Sequence, residues 1–280
     1  MWRYKNDKKN IIFDNFYFFE LFFLEFNRKN KLPKTSLSEI KIDMQFLEEV
    51  KKDKSKNLIL EEVNAKNETA RSFVSDDVLV KIWENGQRFK LKADIQYQKP
   101  NGFRMIISSI LGKELDLGSN NKKFWYWSRR DRYPGLYWSY YEDFEKTRLK
   151  TPFNPIFMKS SLGLEVLDLE KAKIVENEKE IMLTYNQVDS MGRPILYSVF
   201  VNKEKKQIDG FLITDMNKKL LVSCEIRSYR GIVPSEILYS WHEENRMMSI
   251  SLNDGEINKK TKMESFLTPS LKPEINMAEE

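Results

Sequence analysis

The chain has few of the residues that build compact catalytic and metal sites. Among its 280 residues there is one cysteine, Cys224, and one histidine, His242. One cysteine excludes a disulfide within this chain and a thiolate metal cluster, and one histidine excludes a multi-histidine metal site. We expect Cys224 to be a buried, unreactive thiol because it lies in the apolar run LLVSCEI. We expect His242 to be solvated or hydrogen-bonded rather than to act as a general base.

Glycine and proline are also scarce, and no P-loop, glycine-rich dinucleotide turn or zinc motif is found. The net charge of +5 arises from 47 basic and 42 acidic residues that are scattered along the chain. Such a balance favours an ordinary protein surface over a dedicated nucleic-acid site. The sequence therefore predicts no catalytic residue, no metal site, no cofactor and no nucleic-acid partner. An enzyme that acts on lipids or glycans through His242 or a carboxylate stays open as an alternative.

The first 35 residues are predicted to be an N-terminal extension. The run IIFDNFYFFELFFLEF (11–26) follows a basic start and so mimics a secretion signal. It carries three acidic residues, lacks a small-residue cleavage site and is too short to span a membrane. A degraded signal, a wrongly assigned start and an amphipathic extension all remain open. The polar break KNKLPKTS then predicts one domain over 36–270, followed by a frayed tail over 271–280.

Two helices are predicted within this domain. The first spans about 36–52: Ser36 and Glu39 form a capping box, and apolar residues follow at spacings of three and four. The second spans 154–165, where Asn154 is the N-cap, Pro155 the first helical residue and Gly163 the stop.

From about residue 73 the apolar period changes to two, which is typical of strands with one wet face. The segment QRFKLKADIQYQ (87–98) alternates throughout, and a turn containing Asn-Gly joins it to the strand before it. Further strand-like runs lie at 77–83, 103–111, 114–118, 123–129, 135–141, 180–186, 194–201, 207–214, 219–229, 235–241 and 246–252. The predicted fold class is α+β, mainly antiparallel β: an incomplete, half-open barrel of about 11 strands with helices covering its concave face.

The stretch KFWYWSRRDRYPGLYWSYYEDF (123–144) is aromatic at ten of its 22 positions. Its rings could form a core, line a pocket for an apolar ligand, or stack on nucleic-acid bases. Stacking needs basic residues along a groove, whereas Arg129, Arg130 and Arg132 are bunched in one turn beside Asp131. That arrangement favours a loop held by ion pairs or a polar rim at a cavity mouth. Alternation puts rings on both faces of the strands and does not tell which face points inward.

Five stretches occur in an order that is found in a known group of proteins: QKPNGFRM (98–105), ELDLGSNNKKFWYWSRR (114–130), FNPIFMKSSLG (153–163), GIVPSEILYSW (231–241) and SISLNDGEIN (249–258). They resemble the LolA/LolB-like outer-membrane lipoprotein-sorting superfamily over about two-thirds of the chain. The phrase D-x-GSN-x-x-x-FWYW with RR close behind is especially similar to an uncharacterised lipoprotein branch seen in planctomycete-type bacteria.

The resemblance implies a non-enzymatic binder or carrier of lipid acyl chains or lipoproteins in the bacterial cell envelope, periplasmic or associated with the outer membrane. It also implies a hydrophobic cavity between the sheet and lid helices, a membrane-surface or envelope-protein partner, and a monomer. An envelope interaction or stress-sensing module without cargo is the alternative. The candidate residues for the cavity lining, taken from both strand faces, are Phe103, Met105, Phe124, Trp125, Trp127, Trp138, Tyr140 and Trp241. The candidates on the lid helix are Ile156, Phe157 and Leu162, and those at the rim or latch are Lys99, Arg104, Arg129 and Arg130.

Lys99 stands where the soluble carrier of that superfamily has an arginine that latches the lid. Lysine lacks the planar fork of arginine, so the resemblance carries over a latch with weaker geometry.

Overall fold

The computed structural model describes residues 48–49, 58–84, 86–129, 133–147 and 155–279. The N-terminal extension predicted over 1–35, the N-cap Asn154 and the rim candidate Arg130 lie outside these residues. So does most of the helix predicted over 36–52. Its two described residues, Glu48–Glu49, pair as a short strand and not as part of a helix.

Sixteen strands and two α-helices make up the regular structure of the described residues, with 3-10 turns at Tyr141–Lys146 and Met263–Phe266. The helices are α1 (Leu58–Thr69) and α2 (Pro155–Ser160). The strands are β1 (Glu48–Glu49), β2 (Ser72–Glu84), β3 (Gln87–Gln98), β4 (Gly102–Ser109), β5 (Gly112–Ser119), β6 (Lys123–Ser128), β7 (Leu136–Tyr140), β8 (Lys173–Glu176), β9 (Glu180–Val188), β10 (Pro194–Asn202), β11 (Gln207–Asp215), β12 (Leu220–Arg230), β13 (Val233–Trp241), β14 (Arg246–Leu252), β15 (Glu256–Ile257) and β16 (Glu274–Asn276).

The strands form one open, curved sheet in the order β1-β8-β9-β10-β11-β12-β13-β14-β2-β3-β4-β5-β6-β7-β16, and β15 pairs with β2. Two antiparallel meanders, β8 to β14 and β2 to β7, lie side by side and join through the β14–β2 pair. This architecture confirms the predicted half-open antiparallel barrel. The predicted number of strands was too low, because β1, β8, β15 and β16 have only two to four residues each. Such lengths are too short to show a period of two.

Strand β3 illustrates how alternation sets the two faces of the sheet. Leu91, Ala93 and Ile95 are buried on one face, while Lys90 and Lys92 are exposed on the other. Most strands bury large apolar side chains on the same side as Leu91, and these side chains join α1 and α2 in one continuous hydrophobic cluster. We call this side, which the helices cover, the inner face and the opposite side the outer face.

The two helices differ in how well the sequence predicted them. Helix α2 was predicted over 154–165 and spans Pro155–Ser160. Gly163 follows it at a φ of +63°, where an added Cβ would lie 2.7 Å from side-chain atoms of Ile226 and Tyr229. Helix α1 was not predicted, since only Leu60, Val63 and Asn67 are buried along it and one of these is polar.

The segment 271–280, predicted to be a frayed tail, includes strand β16. Strand β16 runs parallel to β7 at the sheet edge, and Met277 is buried. The backbone N–H of Leu136 donates to the carbonyl of Pro273, and that of Met277 donates to the carbonyl of Trp138. These bonds hold the segment to the sheet.

No described helix combines the length and the apolar content needed to cross a lipid bilayer.

Candidate functional site

The aromatic rings of β6 and β7 divide between the two faces of the sheet. Phe124 and Tyr126 join the inner-face cluster, and Tyr126 stacks on Tyr137 with ring centroids 5.0 Å apart. Alternation places Trp125 and Trp127 on the outer face, where Trp125 is paired with Trp138 in the ladder. The stretch 123–144 is therefore partly core and partly outer surface.

Four predicted cavity residues lie on the inner face. Phe103, Met105 and Phe124 are completely buried beneath the helices, and Trp241 packs against Tyr239 with a centroid distance of 4.4 Å. These four are brought together in the same apolar cluster.

The other four predicted cavity residues, Trp125, Trp127, Trp138 and Tyr140, lie on the outer face. Trp125 fills the space above Gly118, where an added Cβ would approach its ring to 2.5 Å. Trp138 contacts Tyr140 edge to face and lies 4.5 Å from the ammonium group of Lys123. These residues cannot line a space between the sheet and its helices.

A lid built from α1, α2 and residues 161–169 covers the inner face. Polar side chains of α1 hold it together: Asn64 Nδ2 donates to the carbonyl of Leu167 over 2.9 Å, and Asn64 Oδ1 accepts from the Leu167 N–H over 2.7 Å. Asn67 Nδ2 donates to the carbonyls of Gly163 and Glu165. Two asparagines thus tie α1 to backbone groups about 100 residues away, which otherwise would be buried without partners.

Lys99, the predicted latch, joins the sheet to this lid. It lies in the β3–β4 turn, and its Nζ donates to the carbonyl of Asn67 over 2.6 Å. The carbonyl belongs to the last turn of α1, where a cation is favourable because the helix dipole is negative there. Burial lowers the pKa of Lys99, against the opposing influence of Glu68 and Glu165. A latching role for this contact stays a prediction.

A second set of polar contacts in the lid involves Glu165. Its carboxylate lies 3.7 Å from Lys159 Nζ, which also approaches Asn101 Oδ1 at 3.4 Å. Burial, with Glu165 adding to it, raises the pKa of Tyr185 to about 12 and the pKa of Tyr197 well above its ordinary value. Both phenols are therefore neutral at physiological pH, and the inner face beneath the lid carries no phenolate charge there.

A row of rings crosses the inner face below α2. Phe157 of α2 lies 6.2 Å from Tyr197 and 6.5 Å from Phe211, and Tyr197 also contacts Tyr185 at 6.1 Å. Phe157, Tyr185 and Ile156 are partly exposed, whereas Leu162 is buried. Two of the three predicted lid residues, Phe157 and Leu162, thus pack against the inner face. The prediction missed Tyr185, Tyr197 and Phe211, although each of them lies in one of the predicted strand-like runs.

Two other predicted rim residues, Arg104 and Arg129, do not border this face. Arg104 makes a bidentate ion pair with the buried Asp116 on the outer face and donates to the carbonyl of Ser265. Arg129 Nη1 donates to the carbonyl of Leu111. Arg104 therefore fastens the C-terminal segment to the sheet, and Arg129 orders a neighbouring turn.

Chemically reactive groups are few in the described part of the chain. The predicted burial of Cys224 is confirmed. His242 is hydrogen-bonded as predicted: its Nε2 lies 2.9 Å from Ser223 Oγ on the outer face, and burial lowers the pKa of the imidazole. Ser223 is only 2% exposed, so its hydroxyl is closed to a substrate. No described group of three or more His, Cys, Asp or Glu side chains is placed to hold a metal ion.

No protein-family model and no curated protein matches the sequence. Among solved structures, a DUF1329 family protein from Desulfovibrio piger is 9% identical with a TM-score of 0.51, over 76% of this chain and 96% of that chain. A LolA superfamily protein from Nitrosomonas europaea is 8% identical with a TM-score of 0.48, over 74% of this chain and 97% of that chain. What the chain shares with the Desulfovibrio piger protein is its fold, a curved antiparallel sheet with few helices.

Proposed function

We propose that this chain is a non-enzymatic binder of lipid acyl chains, free or attached to proteins, and that it holds them between the inner face and the lid. The observation that carries the proposal is the way in which the inner face is covered. A broad apolar surface faces two short helices and a connecting segment rather than a second sheet. Apolar surface of this kind is what acyl chains bind.

The described polar contacts that attach the lid are made by side chains. Asn64 and Asn67 hold its parts together, and Lys99 connects it to the β3–β4 turn. Because none of these contacts belongs to the strand ladders, the lid can separate from the sheet without breaking strand pairs. An acyl chain would then replace the apolar contacts of the lid with its own.

The partly exposed side chains of Ile156, Phe157 and Tyr185 mark the entrance in this proposal. Phe103, Met105, Phe124 and Trp241 form the deeper lining, and Leu162 closes the space from the lid side. The outer-face rings have no part in it.

The cell envelope as the place of action, and the monomeric state, rest on the five motifs that resemble the lipoprotein-sorting superfamily. An envelope interaction module of the same fold without cargo is the second candidate. The same resemblance supports this second candidate, and a fatty-acid titration distinguishes it from an acyl-chain binder.

The test is a titration of the delipidated protein with a fluorescent long-chain fatty acid. We expect saturable binding, and Phe157→Ala should weaken it about tenfold, since it removes the ring that faces Tyr197 and Phe211. Trp138→Ala is the matched control, because it removes a larger ring from the outer face. Absence of saturable uptake by the wild-type chain, or equal weakening by both substitutions, would contradict the proposal and favour the module without cargo.

A further inference from the structure

A buried ion pair lies on the inner face where β2 ends and β14 begins. Arg246 Nη2 donates to Glu84 Oε1, and the two side chains are only 8% and 6% exposed. Met247 pairs with Trp83, so continuing the β14–β2 ladder by one residue places Arg246 opposite Glu84. Both alternate with residues of the hydrophobic cluster in their own strands, which puts the pair on the inner face.

The arginine of this pair has a donor that lacks an acceptor. Arg246 Nε is buried, and it has no hydrogen-bond partner in the part of the chain that the structure describes. Buried N–H groups without an acceptor are rare in native proteins, because leaving one unpaired costs free energy. The position therefore calls for an acceptor from outside the chain.

A continuous row of aromatic rings leads along the inner face to this arginine. Neighbouring rings have centroids 4.4 to 6.1 Å apart, and the row consists of Tyr185, Tyr197, Phe211, Tyr239 and Trp241. Trp241 is directly opposite Arg246 in the β13–β14 ladder. An acyl chain that lies along the rings would therefore meet the unpaired N–H of Arg246 at one end of the row and Tyr185 at the other.

The charge balance of the ion pair selects the kind of acceptor. Glu84 already neutralises Arg246, so a carboxylate at Nε would add an uncompensated negative charge to a buried site, which is costly. Burial raises the pKa of Glu84, with Arg246 opposing the rise, so negative charge is already disfavoured there. A carbonyl oxygen of an ester or amide supplies the missing acceptor and adds no charge.

We propose that Arg246 binds the ligand directly, and that its Nε–H donates to the carbonyl oxygen of the ester or amide that joins an acyl chain to its head group. The acyl chain then lies along the row of rings toward Tyr185 and Phe157. Residues 242–245, which directly precede Arg246, are exposed, so the head group beyond the linkage would reach the surface at the β13–β14 turn. The inference rests on the proposed function and adds to it the chemical group by which the ligand is recognised.

The experiment measures the affinities of the full chain for methyl dodecanoate, N-methyldodecanamide and tetradecane by displacement of a fluorescent fatty acid. The ester stands for acylglycerols, the amide stands for N-acylated proteins, and tetradecane has a similar length but no acceptor. In the double variant Glu84→Leu/Arg246→Leu, the affinity for the ester or the amide should fall about tenfold relative to that for tetradecane, as expected for the loss of a hydrogen bond to a charged group. Replacing both partners leaves no unpaired charge behind. The carbonyl ligand with the larger loss identifies the source of the acyl chain.

The matched control is Glu225→Leu/Arg227→Leu, which removes another Glu–Arg pair. Glu225 is opposite Leu238 in the β12–β13 ladder, on the outer face. This control should leave the ratio of the carbonyl-ligand affinity to the tetradecane affinity unchanged.

A second measurement on the wild-type chain does not depend on the folding of the double variant. Nuclear magnetic resonance detects arginine Nε–H groups, and the signal of Arg246 is assigned by its loss in Arg246→Lys. This signal should shift when methyl dodecanoate is added and not when tetradecane is added. The signal of the exposed Arg88 should stay in place with both ligands.

Three results would overturn the inference: an unchanged affinity ratio in the double variant, an Arg246 signal that does not respond to the ester, or a larger loss of affinity for dodecanoate than for its methyl ester. Absence of binding by every ligand, tetradecane included, would contradict the proposed function itself. Binding of tetradecane without any effect of the carbonyl group would contradict this inference alone.

Discussion

At the scale of single residues, Asp116 shows how the outer face tolerates a buried charge. Its carboxylate is completely buried and accepts hydrogen bonds from Arg104 and from Lys113, the latter over 2.6 Å. Burial alone would raise the pKa of Asp116, but these two cations lower it below its ordinary value. The same arginine holds the carbonyl of Ser265, so one ion pair supports both the sheet and the segment that crosses it.

Asp116→Asn should destabilise the protein by about 3 kcal/mol at pH 7, because it leaves two cations facing a neutral amide. The wild type carries a lowered carboxyl pKa, so its advantage is present above the unfolded pKa of about 4 and disappears as pH falls through the lower folded value. Urea denaturation of both proteins between pH 7 and 2 measures this.

The control for that comparison is Asp143→Asn, which removes an exposed ion pair with Lys146. It should cost less than about 1 kcal/mol. A stability difference between wild type and Asp116→Asn that does not shrink in acid would show that the ion pair is not the cause.

At the scale of elements, local pattern decided what could be predicted. Strand β3 was evident because its apolar and charged residues alternate without interruption. Helix α1 escaped prediction because Asn64 and Asn67 interrupt its apolar stripe, and their partners are backbone groups about 100 residues further along the chain. The sequence also could not predict which face of the sheet each ring of β6 and β7 occupies, since both sides of those strands are aromatic. Only the position of the helices tells the faces apart.

Strand β16 gives the testable prediction at this scale. A chain truncated after Lys272 loses β16 and exposes the backbone groups of β7, which are then free to pair with another molecule. We expect the truncated chain to be less stable and to associate as its concentration rises. Light scattering over a concentration series measures the association.

A chain that ends after Met277 keeps β16 and its bond to Trp138. It should show the same oligomeric state as the full chain at every concentration. If both truncated chains associate alike, edge protection by β16 is not the reason.

At the scale of the whole molecule, the lid and the sheet form one apolar cluster but are joined by separate polar contacts. The double variant Asn64→Ala/Asn67→Ala removes the side chains that tie α1 to residues 163–167. Each buried carbonyl left without its donor costs about 1–3 kcal/mol, so the lid should be loosened. If acyl chains enter under it, the rate of fatty-acid uptake should rise severalfold in stopped-flow fluorescence.

Glu61→Ala, an exposed substitution on the same helix, is the control and should leave the uptake rate unchanged. An unaltered rate in the asparagine variant, with its fold intact by circular dichroism, would show that the ligand does not enter past the lid.

The position of β16 has a consequence for the order in which the protein is made. Its partner β7 ends at Tyr140, whereas β16 begins at Glu274. During synthesis the meander β2 to β7 can therefore complete its own strand pairs long before the segment that protects its edge has been made. That edge stays open while residues 141–273 are made, and during this time the nascent chain must keep the unpaired edge of β7 from pairing with another strand.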